Sequence, residues 1–335
     1  MEDQDGAELC FPQLLNASCR KPKNSQSDVV LMYLLFTISV LTVVLNLLVI
    51  ISVSHFRQLH TPTNLLILSL AVSDFLCGLL VIPLQAQQLT GCWLLGDLMC
   101  SLSVFAGSVI STTTIGDMIL ISVDRYVAIC DPLHYPTRVT VTRVKLWLYV
   151  CWTCCFLYSS LIYKDDLAQP GRFMSCYGEC LIFVDYTAIT VDTVLSFIAP
   201  ISVIIILYMR VFVTAVSQAR AMRFHVGAVT LRPSGAVTTR KSELKAARTL
   251  GVVVVVYLIC FCPCYCITLI QVSVIIQGRD TFSSLAVTFG VLLMYINTCL
   301  NPVIYALFYP WFRKAIRLIF SLQILQPGSR ETNML

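Results

Sequence analysis

The sequence predicts an all-α membrane protein, in which seven transmembrane helices form a bundle and a short amphipathic eighth helix follows them. The chain of 335 residues is 57% hydrophobic and only 12% charged. A soluble fold of this composition would expose large apolar surfaces, whereas a lipid bilayer accommodates them. Seven stretches are also apolar and long enough to cross about 30 Å of hydrocarbon as helices. These stretches are residues 29–53, 62–86, 98–129, 145–163, 186–215, 245–272 and 283–306.

The seven stretches divide the chain into three parts. A polar tail over residues 1–28 precedes the seven-helix domain of residues 29–308, and residues 309–335 form the eighth helix and a C-terminal tail. Apolar residues at 312, 316, 319 and 320 alternate with basic residues in a helical pattern. This pattern is typical of a helix that lies on the membrane surface in contact with lipid.

Basic residues indicate how the bundle is oriented. The loops on one side are rich in arginine and lysine, and the loops on the other side mix acidic and basic residues. Because basic loops stay in the cytoplasm, we expect the N-terminus to lie outside the cell. Asn16 begins an N-glycosylation sequon, Asn16-Ala17-Ser18, on that outer side. The basic residues are Arg57, Arg138, Arg143, Arg220, Arg223, Arg232, Arg240, Lys241, Arg313, Lys314 and Arg317.

Several classes of protein are excluded by what the sequence contains. The net charge of +5 is too small and too dispersed for nucleic-acid binding. An enzyme is not expected, because the four histidines show no metal-ligand spacing. A transporter would show repeats or interrupted helices in matching halves, and neither is found. Most of the 16 cysteines lie within the spans and are expected to be free, whereas Cys10, Cys19, Cys100, Cys176 and Cys180 lie on the oxidising outer side.

Short motifs stand in order along the spans. They are Asn46 in the first, Leu70-Ala71-Val72-Ser73-Asp74 in the second, Asp124-Arg125-Tyr126 in the third, Trp152 in the fourth, Pro200 and Tyr208 in the fifth, and Asn301-Pro302-Val303-Ile304-Tyr305 in the seventh. In this order the motifs resemble those of rhodopsin-like G-protein-coupled receptors, from about residue 29 to 320.

A longer motif resembles one branch of these receptors. Residues 297–312 read N-T-C-L-N-P-V-I-Y-A-L-F-Y-P-W-F. The fingerprint of the trace amine-associated receptors is N-S-x-x-N-P-x-x-Y-x-x-x-Y-x-W-F, and Thr298 is the one departure. The segments 16–19, 176–180 and 241–251 are also similar to that family.

The resemblance implies an olfactory receptor for small amines. Such a receptor signals through a heterotrimeric G protein of the stimulatory or olfactory type, raises cyclic AMP and lies in the cilia of olfactory neurons. It also implies a disulfide between Cys100 and Cys180, and a second between Cys176 and a tail cysteine, Cys19 ahead of Cys10. The alternative is a rhodopsin-like receptor for a non-amine ligand such as a peptide, or an orphan receptor.

A buried ammonium group needs a carboxylate partner, because burial without one costs several kcal/mol. In most amine receptors that acid lies eighteen residues before the arginine of the third-span motif, and here this position is Gly107. Asp192, eight residues before Pro200 in the fifth span, is expected to replace it. This arrangement resembles a fish subgroup of the family. Asp185 suggests a second anchor for a diamine, although a solvated helix start explains it as well. By family position, the other pocket candidates are Thr193, Ser196, Ser108, Ser111, Phe261, Tyr265, Thr268 and Tyr295.

The resemblance also implies an activation switch and a sodium site. The switch residues are Asp124, Arg125, Tyr126, Glu243, Tyr208, Asn301, Pro302 and Tyr305. An ion pair between Arg125 and Glu243 would break when the sixth helix swings outward. Asp74, Thr114, Asn297 and Asn301 resemble the allosteric sodium pocket of the class, and no other cofactor is expected. Phe261 replaces the usual tryptophan of the sixth span. Asp117 has no assigned role, and it is expected to pack toward Trp152.

Overall fold

The computed structural model describes residues 9–13, 17–19, 26–172, 174, 176–180, 182, 186–226, 251–270 and 284–334. Within these residues, seven long helices form a bundle, and each contains a segment long and apolar enough to cross a membrane. The predicted seven-helix fold is therefore confirmed. The termini lie on opposite sides of the bundle, here called the N-terminal side and the C-terminal side.

The helices follow the predicted spans. Helices α1, α3 and α4 are Gln26–His55, Gly96–Cys130 and Val141–Ile162. Helix α2 is Pro62–Leu76, continued by a π-turn over Cys77–Val81 and by Ile82–Thr90. Helix α5 is Tyr186–Thr193, continued by a π-turn over Val194–Ile198 and by Ala199–Val226. Helix α6 is described over Gly251–Ile270, α7 is Ser284–Phe308, and the surface helix α8 is Pro310–Phe320.

Helix α5 differs most from its predicted length, since it continues to Val226 instead of ending at 215. A search for apolar runs finds only the part of a helix that lies in hydrocarbon, so the polar continuation was not predicted. The starts of α2 and α4 have clear local causes. Thr61 and Thr140 accept hydrogen bonds from the backbone N–H groups of Asn64 and Arg143, which satisfies donors that the helices leave unpaired.

The core and the lipid-facing surface both consist of apolar side chains. Large buried residues such as Phe56, Tyr257 and Tyr305 fill the C-terminal half of the bundle, and Tyr295 belongs to a smaller cluster nearer the N-terminal side. Many apolar side chains on the outside are exposed, and Tyr149 is 70% exposed. This distribution suits a protein whose solvent is lipid.

Helix α8 buries most of the face that its sequence pattern predicts, since Phe312 is buried and Ile316 and Ile319 are partly buried. Trp311, Phe312 and Ala315 are buried, whereas Phe320, which the sequence pattern placed on the apolar face, is 74% exposed. The first half of the helix makes the packing contacts, and Phe320 is its last residue.

A cap covers the N-terminal side of the bundle. It consists of the described residues among 9–19, together with residues 91–95 and 176–180. Three disulfides hold it, Cys10–Cys92, Cys19–Cys176 and Cys100–Cys180. The backbone N–H of Cys19 donates to the Tyr177 carbonyl at 2.9 Å, and that of Tyr177 donates to the Ala17 carbonyl at 2.8 Å.

Two of these disulfides are the pairs that the resemblance implied, with Cys19 as the partner of Cys176. The third was missed, because Cys92 was not counted among the outer cysteines, although it lies between the second and third spans. Gly178 makes the close packing possible. Its φ is +110°, and a Cβ there would lie 2.7 Å from the Cβ of Cys10. Asn16 lies outside the described residues, so glycosylation stays a prediction.

Candidate ligand-binding site

Asp192 is placed by α5, directly before the π-turn of that helix. Its Oδ1 accepts hydrogen bonds from the hydroxyl of Tyr158 at 2.7 Å and from Ser196 Oγ at 2.9 Å. Tyr158 belongs to α4, and Ser196 lies one turn further along α5. Both donors are neutral and both reach the same oxygen. The carboxylate is half-buried, and these two hydroxyls hold it in place.

A cavity of about 230 Å³ opens beside Asp192, between α2, α3, α5, α6 and α7. Among the described residues that line it, Asp192 is the only charged side chain. The remainder of the wall is made of hydroxyls, amides and apolar groups. The lining residues are Val81, Leu84, Gln85, Gln88, Ser103, Val104, Gly107, Ser108, Ser111, Thr112, Tyr163, Asp192, Ser196, Tyr265, Met294 and Tyr295.

The structure brings most of the predicted pocket residues together around this cavity. Those that line it are Gly107, Ser108, Ser111, Asp192, Ser196, Tyr265 and Tyr295. A Cβ added to Gly107 would meet only Val81 Cγ1, at the ordinary contact distance of 3.5 Å. The α3 position at which the resemblance implies an acid in most of the family can therefore take a Cβ without displacing a neighbour.

Three predicted pocket residues do not line the cavity. Thr193 is buried and donates to the Ile189 carbonyl at 2.8 Å, because one step along a helix rotates a side chain by about 100° from Asp192. Thr268 donates to the Cys264 carbonyl at 3.0 Å. Phe261 is buried against Tyr257, with ring centroids 4.4 Å apart.

The sequence interpretation missed two tyrosines, one within α4 and one directly after its last residue. Tyr158 holds the Asp192 carboxylate, and Tyr163 lines the cavity. Burial, and then the negative charge of Asp192, raises the pKa of Tyr163 to about 12, so its hydroxyl stays protonated at neutral pH. Gln88 donates to the Cys180 carbonyl at 2.8 Å and joins the cavity wall to the cap. A polar side chain in the outer part of the fourth span was the signal available for Tyr158.

An aromatic pair connects the cavity wall to α6. The ring of Phe197, in the π-turn of α5, stacks on Tyr265 with centroids 4.1 Å apart and planes 12° apart. Tyr265 also lines the cavity. Ser196, which donates to Asp192, is therefore adjacent in sequence to a residue that contacts α6 directly.

The switch residues lie near the C-terminal side. Arg125 Nε donates to Asp124 Oδ2 at 3.0 Å, and a second guanidinium nitrogen donates to Thr63 Oγ1 at 2.6 Å. The hydroxyl of Tyr135 donates to Asp124 Oδ1 at 2.8 Å. Arg125 is thus tied to α2 and to its own helix. Glu243, its predicted partner, lies outside the described residues, so that ion pair stays a prediction.

The other switch residues have simpler surroundings. Tyr126 packs against Ile129 and Val211. The buried hydroxyls of Tyr208 and Tyr305 have no hydrogen-bond partner in the described part of the chain. Each of these oxygens can therefore accept a hydrogen bond in another arrangement of the helices.

The predicted sodium residues are all buried inside the bundle. Asn301 Nδ2 donates to Asp74 Oδ2 at 2.9 Å. Asp74 Oδ1, Asn297 Oδ1 and Asn301 Oδ1 are buried and have no hydrogen-bond partner among the described residues. Thr114 lies at the edge of this group, with its hydroxyl 3.3 Å from Ser73 Oγ. Buried oxygens without donors around one carboxylate fit a small hard cation.

Asp117 is fully buried and does not line the cavity. Ser69 Oγ lies 2.9 and 3.0 Å from its two carboxylate oxygens, and Trp152 Nε1 donates to Ser69 Oγ at 3.0 Å. Ser69 therefore stands between Asp117 and Trp152. These contacts join α2, α3 and α4 and give Asp117 a place in helix packing.

Comparison with known proteins gives a consistent result. Residues 45–305 match the family described as 7 transmembrane receptor (rhodopsin family). The chain is 35% identical to trace amine-associated receptor 13c of Danio rerio, over 99% of this chain and 98% of that protein. It is 38% identical to trace amine-associated receptor 8a of Rattus norvegicus, over 96% and 95%. It is 33% identical to trace amine-associated receptor 1 of Macaca mulatta, over 94% and 95%.

Proposed function

Because the chain belongs to the rhodopsin family of seven-transmembrane receptors, and within it to the trace amine-associated receptors, we propose that it is a G-protein-coupled receptor activated by a small amine. The observation that carries the proposal is Asp192, the only charged side chain among the described residues of a small cavity. A protonated amine that entered this cavity without a carboxylate would lose several kcal/mol of solvation. Asp192 supplies the compensating charge.

The two oxygens of Asp192 have separate roles in this proposal. Tyr158 and Ser196 occupy Oδ1, whereas no hydrogen bond among the described residues reaches Oδ2. The ammonium group binds at Oδ2, so that the hydroxyls keep the carboxylate oriented while the ligand is bound. Tyr265 and Tyr295 place aromatic rings in the same wall, which attract a cation further.

The size of the cavity limits the ligand. About 230 Å³ is below the range typical of drug-sized ligands, so a small amine fits best. A diamine would need a second acid. Asp185, the residue suggested for that role, lies outside the described residues, and the choice between a monoamine and a diamine is left to the ligand panel below.

Signalling passes from α5 to α6 through the stacked pair Phe197–Tyr265. Movement of α6 releases Arg125 from its inactive contacts, which on this proposal include Glu243, and the buried hydroxyls of Tyr208 and Tyr305 then accept from it. The opened C-terminal side binds a heterotrimeric G protein of the stimulatory or olfactory type and raises cyclic AMP. The receptor lies in the plasma membrane of olfactory cilia with its N-terminal side outside.

Asp192→Asn tests the proposal. A panel of monoamines and diamines is applied to cells that express the receptor with a cyclic-AMP reporter. The substitution removes the charge and keeps the shape, so potency for the best amine falls about 100-fold or more, as expected for breaking a buried ion pair. Asp166→Asn is the matched control, because Asp166 is an acid of the neighbouring helix Lys164–Ala168 that does not line the cavity.

Surface expression of each variant is measured with an antibody to an epitope at the N-terminus. Equal potency of the wild type and Asp192→Asn, at equal expression, would reject Asp192 as the anchor. If no amine in the panel raises cyclic AMP in the wild type, the alternative of a non-amine ligand such as a peptide replaces this proposal.

A further inference from the structure

A second cavity of about 230 Å³ lies between α3, α4 and α5, and we call it the lateral cavity. It shares Thr112 and Ser196 with the cavity beside Asp192. Tyr158 lines the lateral cavity while its hydroxyl holds the Asp192 carboxylate. The side chains of Tyr158 and Ser196 therefore form a partition between the two spaces. The lining residues are Thr112, Ile115, Gly116, Ile119, Cys154, Cys155, Tyr158, Leu195, Ser196 and Pro200.

The mouth of the lateral cavity faces the bilayer. Cys154 is exposed and Leu195 is 54% exposed, and both lie in helices that cross the membrane. Helix α4 begins at Val141, so Cys154 lies roughly 20 Å along it, well within the hydrocarbon layer. A molecule that enters here comes from the lipid phase and not from water.

The chemistry of the wall defines the occupant. None of the described lining residues is charged, and most of the wall is aliphatic or sulfhydryl. The hydroxyls of Thr112, Tyr158 and Ser196 are polar, and the backbone near Pro200 adds a further polar group. Pro200 has no N–H, and the N–H of Ala199 binds the Val194 carbonyl across the π-turn. The carbonyl of Ser196 or Leu195, four or five residues before Pro200, is therefore left without its helical donor. A carbonyl in this position accepts a hydrogen bond from a ligand hydroxyl.

We propose that the lateral cavity is a second ligand site, which takes a neutral, membrane-dissolved apolar alcohol, and that Tyr158 couples it to the amine site. The apolar part of the alcohol fills the space between α4 and α5, and its hydroxyl donates to the carbonyl left free by Pro200. Contact with the Tyr158 ring then biases the hydrogen bond from Tyr158 to Asp192. The coupling rests on the proposed amine function, whereas occupancy of the cavity does not.

Occupancy is tested with an octanol that carries a photoreactive diazirine. The full-length receptor is placed in phosphatidylcholine nanodiscs, illuminated with the probe and analysed by mass spectrometry. We expect labels on residues of the lateral cavity, with Cys154, Cys155 and Leu195 foremost. Cys154→Phe fills the mouth and should reduce this labelling at least fivefold. Cys266→Phe is the matched control, since Cys266 is also an exposed free cysteine in a membrane helix but lines neither cavity.

Equal labelling of Cys155 and Leu195 in the wild type and in Cys154→Phe, or no label on any residue of the lateral cavity in the wild type, would overturn the site. An excess of unlabelled octanol should reduce labelling at a specific site. Labelling by probe that is merely dissolved in the lipid should not change. This readout does not depend on any amine response, so a failure of the amine proposal leaves it intact.

Coupling is tested by amine concentration–response curves with and without octanol. In the wild type and in Cys266→Phe, octanol should shift the potency of the amine about fivefold or more, the lower end of typical allosteric couplings. In Cys154→Phe the shift should vanish. Labelling without any shift in the wild type would overturn the coupling through Tyr158, and an equal shift in all three proteins would assign the effect to the bilayer.

Discussion

The α5 wall of the cavity beside Asp192 carries an acid, whereas the α3 wall has a glycine at the position where an acid is usual in the family. Gly107 leaves open space on α3, and Asp192 provides the carboxylate on α5. Both positions line the same cavity, so the site can hold an ammonium group at either wall if the charge is moved. The position of the acid then sets the direction in which the remainder of the ligand points.

Moving the acid from Asp192 to position 107 should rescue the response that Asp192→Asn loses. A Cβ at Gly107 meets only Val81 Cγ1 at 3.5 Å, so an aspartate is accommodated without displacing backbone. We expect the double variant Asp192→Asn with Gly107→Asp to regain about tenfold in amine potency, or roughly 1.4 kcal/mol. The measurement is the cyclic-AMP concentration–response curve. Gly107→Asn in the same background is the control, because asparagine has about the size of aspartate but no charge. If it also restored amine potency, the volume of the side chain and not its charge would explain the rescue.

The buried oxygens around Asp74 give a second prediction at the scale of single residues. If they hold sodium, the purified wild-type receptor should unfold about 2 °C higher or more in sodium chloride than in choline chloride of equal ionic strength. Asp74→Asn should remove this difference. Asp117→Asn is the control, because Asp117 is another fully buried acid and it contacts Ser69 instead. A sodium effect that survives Asp74→Asn would place the ion elsewhere.

Single residues could be predicted from the sequence where an ionisable side chain lies in an apolar stretch. An acid in an apolar run is visible in the sequence, and Asp192 was found in this way, whereas Asp74 was found through the motif that contains it. Thr193 and Thr268 were misplaced because hydroxyls are common in membrane helices, where they donate to the carbonyl one turn earlier. Tyr158 was missed because its role depends on the distance between α4 and α5, which no spacing within one helix determines.

At the scale of elements, the π-turn Val194–Ile198 determines where the outer part of α5 points. A π-turn contains one residue more than an α-helical turn, so the segment before it is rotated by about 100° relative to the segment after it. Asp192 lies before this turn and Pro200 lies after it. The apolar pattern predicted α5 but not the turn, because an inserted residue changes the register and leaves the hydropathy unchanged.

Deletion of Leu195 should therefore abolish the amine response while the receptor still reaches the cell surface. Without the extra residue the helix closes as a regular α-helix, and Asp192 turns away from Tyr158 and from the cavity. We expect a loss of potency similar to that of Asp192→Asn, measured with the same reporter and an N-terminal epitope for surface expression. Leu195→Ala keeps the register and should respond like the wild type. A deletion variant with wild-type potency would mean that the π-turn does not position the acid.

For the molecule as a whole, the cap links segments that are distant in the chain. The disulfides Cys10–Cys92, Cys19–Cys176 and Cys100–Cys180 close loops of 82, 157 and 80 residues. They tie the N-terminal segment to the loop after α2 and to the loop after α4. Gln88, which lines the ligand cavity, donates to the carbonyl of Cys180. The cap and the cavity wall are therefore one connected structure.

The Cys10–Cys92 disulfide predicts a specific pattern of thiol labelling on intact cells. A membrane-impermeant maleimide should not label Cys10 or Cys92 in the wild type, because both thiols are bonded. Cys92→Ser should release the thiol of Cys10 and add one label, and Cys10→Ser with Cys92→Ser should remove it. Because the reagent does not cross the membrane, the same label places the N-terminal side of the bundle outside the cell.

Cys299→Ser is the control, since Cys299 is a free cysteine of α7 whose loss should leave the cap unlabelled. Loss of the disulfide should also lower the unfolding free energy by about 2–5 kcal/mol. A wild-type receptor that is labelled at Cys10 without reduction would show that this bond is not formed, and the cap would then be held by the remaining two.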